Sequence, residues 1–169
     1  IFYMKIVKNV LTENTLESIH NKIKNDYDLK VWKNSILFWQ PSIRIGNHVG
    51  VLTQIVNDEL ASCIEKEISQ FLPKYNRLVI QIYLWPKGSN ISWHNDKGYS
   101  FGATIYLNNY WEINYGGLFI WEDNENKELK VLCPSKNVMV INDKEEGHCV
   151  THVTSVALEA RMTLQIWGI

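Results

Sequence analysis

His94 and Asp96 are two residues apart in Ile91-Ser-Trp-His-Asn-Asp96, and on an extended strand that spacing puts both side chains on one face. An imidazole and a carboxylate so placed can share one metal ion. A second histidine from a distant strand would complete a two-histidine, one-carboxylate set. Three coordination positions then stay open, enough for a bidentate co-substrate and O2. With five His and six Asp in the chain, a chance His-x-Asp is expected about 0.2 times, so context has to decide.

The second histidine is His148 or His152. On one strand they share a face but stand about 13 Å apart, so only one can join the ion. His148 follows the charged turn Asp143-Lys-Glu-Glu-Gly147, at a strand entrance, and is the preferred ligand. His152 is expected mid-strand as a hydrogen-bonded histidine. His20 borders the apolar stripe of a helix and His48 sits in a loop, so both are expected to be structural or exposed. Arg161 is one of three arginines beside fourteen lysines, so a guanidinium at that position is a specific choice. It stays charged when buried and grips a carboxylate through two nitrogens. The other reading is a rim salt bridge to Glu159. A phenol such as Tyr106, taken to lie two strands away, would add a hydrogen bond to the same carboxylate.

These side chains need a scaffold, and 169 residues are enough for one domain with a substantial core. The 46% hydrophobic and 21% charged content is that of a globular chain, and no apolar run is long enough to cross a bilayer. Neither a membrane nor a nucleic-acid partner is expected, since the net charge is −1 and the lysines are scattered. Cys63, Cys133 and Cys149 form no C-x-x-C pair and no disulfide framework. With no secretory signal, a cytoplasmic location is expected, and Ile1 to Tyr3 read as a remnant ahead of Met4.

Helical spacing of Leu16, Ile19 and Ile23 after Thr12 and Asn14 predicts a first helix. The same spacing from Leu52 through Ile55, Val56, Leu60, Ile64 and Ile68, ending before Pro73, predicts a second. Residues 37–50, with Pro41, Gly46 and Gly50, form an aperiodic candidate lid. From Leu78 the pattern changes to short alternating strands near 78–85, 90–96, 102–108, 117–122, 129–132, 137–142, 148–155 and 160–168. Eight antiparallel strands suit a jelly-roll. The expected architecture is α+β, mainly β, in one domain: residues 1–77 as helical support and lid, 78–169 as the jelly-roll core. Ile80, Ile82 and Leu84 oppose Gln81, Tyr83 and Trp85, and Leu164 and Ile166 oppose Arg161, Thr163, Gln165 and Trp167. If the polar faces converge they line a cavity, leaving the aliphatic faces for the helices.

With these residues in view, the chain resembles the Fe(II)- and 2-oxoglutarate-dependent dioxygenases of the prolyl 4-hydroxylase-like group. The likeness runs in order through Ile91 to Asp96, Ala103-Thr-Ile-Tyr-Leu-Asn108, Trp111, Gly116-Gly117, His148-Cys-Val-Thr-His-Val153 and Arg161 through Trp167. It covers about residues 78–169 and implies a double-stranded β-helix. By resemblance His94, Asp96 and His148 would bind Fe(II), and Arg161 would pair with the far carboxylate of 2-oxoglutarate. Tyr106 matches a tyrosine bonded to that carboxylate, and Tyr83 and Trp167 match aromatics of the co-substrate pocket. The resemblance further implies O2 as oxidant, leaves room for ascorbate, and points to prolyl residues of a peptide or protein. Residues 37–50 resemble the family's substrate-covering segment. The interval from His148 to Arg161 exceeds the family's usual one, which would fit His152, unless a longer hairpin spans Thr154 to Ala160. Glu159-Ala160 also stands where a glycine is usual. The competing functions are the same chemistry on a free amino acid or small molecule, and a jelly-roll that binds metal or ligand without turnover.

Overall fold

The computed structural model describes residues 4–34, 36–44, 49–143 and 145–169, with only the backbone at 33, 34 and 143. Its elements are β1 (Lys5–Lys8), α1 (Glu13–Asp28), β2 (Ile36–Leu37), β3 (Val51–Ile55), α2 (Asp58–Ile68), β4 (Leu78–Trp85), β5 (Ile91–His94), β6 (Phe101–Tyr106), β7 (Phe119–Glu122), β8 (Leu129–Leu132), β9 (Val138–Asp143), β10 (His148–Val150) and β11 (Arg161–Gly168). A large sheet runs β1-β9-β6-β11-β4-β3-β2, a small one β5-β10-β7-β8, and every pairing is antiparallel. The chain is a double-stranded β-helix with two helices. Among the described residues no helix is long and apolar enough to cross a membrane.

The strand alternation sorts the side chains into two cores. On one face of the large sheet Ile80, Ile82, Ile105, Leu164 and Ile166 pack against Leu16, Ile19 and Ile23 of α1 and Ile64 and Ile68 of α2. Each such burial stabilises by about 1.5–3 kcal/mol, an upper figure because the unfolded chain already hides some apolar area. On the other face Tyr83, Trp85 and Tyr106 meet Ile91, Phe119, Trp121 and Val150 of the small sheet. The functional cavity opens within this second, aromatic core.

The first 77 residues hold more strand than the sequence suggests. Residues 51–55 are not helical: they form β3, hydrogen-bonded beside β4, and α2 starts only at Asp58 after Asn57. The apolar positions at 52, 55 and 56 fit a helical period, but Val51, Thr53 and Ile55 are β-branched and an open sheet edge is available. The edge strands β1 and β2 likewise escape periodicity because they are only four and two residues long. The strand expected over 148–155 ends at Val150, after a register shift opposite β5. Val153 then bridges Gly116, and residues 151–160 loop back to β11. Tyr106 is one strand from Arg161, not two, since β6 and β11 are neighbours.

Candidate metal centre and carboxylate pocket

Pairing of β5 with β10 sets His148 directly opposite His94, with ring centroids 4.3 Å apart. Each ring is oriented by a backbone carbonyl: His94 Nδ1 lies 2.7 Å from the Ser92 oxygen and His148 Nδ1 2.9 Å from the Glu146 oxygen. A carbonyl can only accept, so both Nδ1 atoms carry the proton and both Nε2 lone pairs are free. Asp96, in the turn leaving β5, points between them. Its Oδ1 is 3.6 Å from His94 Nε2 and its Oδ2 is 3.5 Å from His148 Nε2. One ligand atom from each residue lies within 4.8 Å of the others, the only such cluster among the described residues. Burial lowers the His148 pKa more than the nearby Asp96 carboxylate raises it, which favours the neutral imidazole a metal requires.

His152 is not in this cluster. It is exposed, in the loop after β10, where its backbone oxygen accepts from the Gly117 amide. His20 Nε2 bonds the Leu107 carbonyl at 2.8 Å, a structural contact. His48 and the centre of the candidate lid, residues 45–48, lie outside the described residues.

Arg161 opens β11 and is 1% exposed. Its Nε donates to the Gly117 carbonyl at 2.8 Å, and its guanidinium carbon stands 5.0 Å from the Trp85 ring and 5.2 Å from the Tyr106 ring. Among the described residues its two terminal nitrogens find no hydrogen-bond partner, and neither does the hydroxyl of Tyr106. Glu159 does not answer the arginine; it accepts from Asn108 Nδ2 at 2.9 Å. A rim salt bridge is thereby excluded. Burial lifts the Tyr106 phenol to about 12 against the opposing pull of Arg161, so it remains a donor. A buried cation without a counter-charge is costly, and unsatisfied donors lining a cavity suit an anion. Gly117 makes the close approach possible: its φ is +60°, and a Cβ there would sit 2.6 Å from Arg161 Cδ.

One cavity joins the histidine pair and Asp96 to Arg161, with Tyr83, Trp39, Thr104, Asn142, Gln165 and Trp167 among its walls. Tyr83, raised to about 12 by burial, donates to Gln81 Oε1 at 3.2 Å. Trp167 stacks on Tyr99 at 4.3 Å near the outer mouth, which Leu37, Phe38, Gln40 and Ile43 also border. The sequence reading passed over Asn142, which follows Val138 and Val140 on the inward parity of β9 and could have been found that way. It passed over Trp39 too, whose indole donates to the Asn90 carbonyl at 2.6 Å from a segment without period.

Residues 78–168 match the family model of the 2OG-Fe(II) oxygenase superfamily. No curated protein matches the chain in sequence. In fold it is similar to a Pseudomonas putida prolyl-4-hydroxylase (16% identity, TM-score 0.73, covering 98% of this chain and 91% of that one). It is similar to a Trichoplax adhaerens prolyl hydroxylase solved with a hypoxia inducible factor peptide fragment (19%, 0.75, 98% and 83%). A third likeness is to the viral collagen prolyl hydroxylase of Paramecium Bursaria Chlorella virus-1, solved with 2OG (18%, 0.66, 98% and 95%).

Proposed function

The chain belongs to the 2OG-Fe(II) oxygenase superfamily, and from that premise we propose that it hydroxylates a prolyl residue of a peptide or protein. The reaction consumes substrate, 2-oxoglutarate and O2, and yields hydroxylated substrate, succinate and CO2. His94, Asp96 and His148 would hold Fe(II), and Arg161 with Tyr106 would hold the far carboxylate of 2-oxoglutarate between the walls formed by Tyr83 and Trp167. Bound together, iron and 2-oxoglutarate supply the activation of O2. The protein orients the ligands through two backbone carbonyls, fixes the dicarboxylate and keeps water from the buried arginine. The observation that carries this reading is the buried guanidinium with two unused nitrogens, in the same cavity as three convergent metal-ligand atoms.

Two observations support a peptide substrate. Phe38, Trp93 and Tyr99 are 55%, 46% and 37% exposed near the site, aromatic surface against which a pyrrolidine can pack. All three of the similar folds above carry prolyl hydroxylase in their names and one was solved with a peptide. In this reading residues 78–169 are the catalytic core of one domain, and residues 1–77 support it and cover its mouth. The test is mass spectrometry of proline-containing peptide libraries incubated with enzyme, Fe(II), 2-oxoglutarate and O2. A one-oxygen gain with peptide-dependent succinate is expected; succinate formed only with free amino acids or other small molecules would overturn the peptide assignment.

A further inference from the structure

We propose that Asn142 is a positioning residue that makes Asp96 a one-oxygen ligand. Asn142 is buried on β9 in the large sheet, and its Nδ2 donates to Asp96 Oδ2 at 2.5 Å. That bond crosses from the large sheet to the turn that leaves the small one. Asp96 Oδ1, the oxygen nearer His94, carries no such bond among the described residues. Gly102 on β6 completes the cradle, since a Cβ there would meet Asp96 Oδ2 at 2.8 Å and the Asn142 amide at 3.1 Å. The carboxylate is therefore anchored through one oxygen and unanchored at the other.

The consequence for coordination is a count of sites. Two imidazoles and one carboxylate oxygen leave three of six positions, which a bidentate co-substrate and O2 fill. A carboxylate gripping through both oxygens would leave two, enough for the co-substrate alone. Removing the Asn142 amide frees Oδ2 to become a second metal donor. Metal binding would survive and the place for O2 would not.

This inference rests on the metal site proposed above, and its test is chosen to separate the two. In Asn142→Leu, which keeps the branched shape and loses the donor, Mn(II) affinity measured by tryptophan fluorescence should stay within a few-fold of wild type. The visible ligand-field spectrum of the Co(II)-loaded variant, which reports coordination number, should differ from wild type. Uptake of O2 dependent on 2-oxoglutarate should fall by about tenfold or more. Gly102→Ala, which displaces the same oxygen from the other side, should show the same pattern and serves if Asn142→Leu does not fold. A Co(II) spectrum unchanged from wild type in a folded variant overturns the proposal, as does loss of metal binding in proportion to activity. If wild type itself takes up no O2 with Fe(II) and 2-oxoglutarate, the proposed function fails while the Co(II) comparison still decides the role of Asn142.

Discussion

Removing the charge of Arg161 tests stability and function together. Under the assignments proposed here, Arg161→Leu should raise the 2-oxoglutarate requirement about 100-fold, the loss of a charge-assisted bidentate contact worth about 2–3 kcal/mol, without altering metal affinity. The same substitution removes a buried cation that lacks a counter-charge among the described residues, so the ligand-free protein should melt no lower than wild type. The rise in melting temperature that 2-oxoglutarate gives wild type should vanish. Differential scanning calorimetry with and without 2-oxoglutarate reads both effects, and a large fall in the ligand-free melting point would mean that Arg161 is chiefly structural. The histidines form a second pair: His148→Ala should cost metal affinity at least tenfold, while exposed His152→Ala should leave it unchanged, as read by isothermal titration with Mn(II). That His94, Asp96 and Arg161 face one cavity was legible in the sequence, because strand parity and the scarcity of arginine do not depend on tertiary context. The partner of Asp96 was not, because which residue meets a carboxylate across two sheets depends on how those sheets pack.

At the level of elements, both helices cover the face of the large sheet turned away from the cavity. Ile64→Ala in α2 should therefore cost about 2–5 kcal/mol in denaturant unfolding, while kcat and KM of the folded protein stay the same. Gly117→Ala should act on both properties, because the residue has a positive φ and its carbonyl and Cα confine Arg161. A stability loss of about 1–3 kcal/mol together with weaker 2-oxoglutarate binding is expected; unchanged binding would mean the arginine is held without it. All eight strands after Leu78 were legible, since turn residues punctuate them and alternation is clean. The stretch 51–56 misled because its β-branched residues satisfy both periods, and only a free edge on β4 decides between them. The end of β10 was illegible for a similar reason: Thr151 to Val153 alternate well enough, but their amides are claimed by the Leu118 carbonyl and the Ser89 carbonyl outside the expected ladder.

For the molecule as a whole, burial of Tyr83 and Tyr106 couples folding to alkaline pH. Both phenols rise from an unfolded value of 10 to about 12, so the stability they contribute is fully present below pH 10 and is lost between pH 10 and about 12. At about 1.4 kcal/mol per unit, each accounts for about 2–3 kcal/mol across that window. Unfolding followed by ellipticity, with phenolate absorbance recorded alongside, should show a steep loss there, and Tyr106→Phe should shift the loss to higher pH. A Tyr106→Phe midpoint equal to wild type would show that the phenol titrates without opening the core. The two histidines belong to the small sheet, whereas Arg161 and Tyr106 belong to the large one. In the proposed binding mode, a dicarboxylate gripped at one end by the metal and at the other by the arginine would be a strut between the two layers of the sandwich. Because each turnover would convert that strut into a shorter product, the scaffold would lose its brace once per cycle and regain it with the next co-substrate. Amide exchange in β7 and β10 should accordingly slow when Mn(II) and 2-oxoglutarate are both bound, making co-substrate supply a mechanical as well as a chemical control.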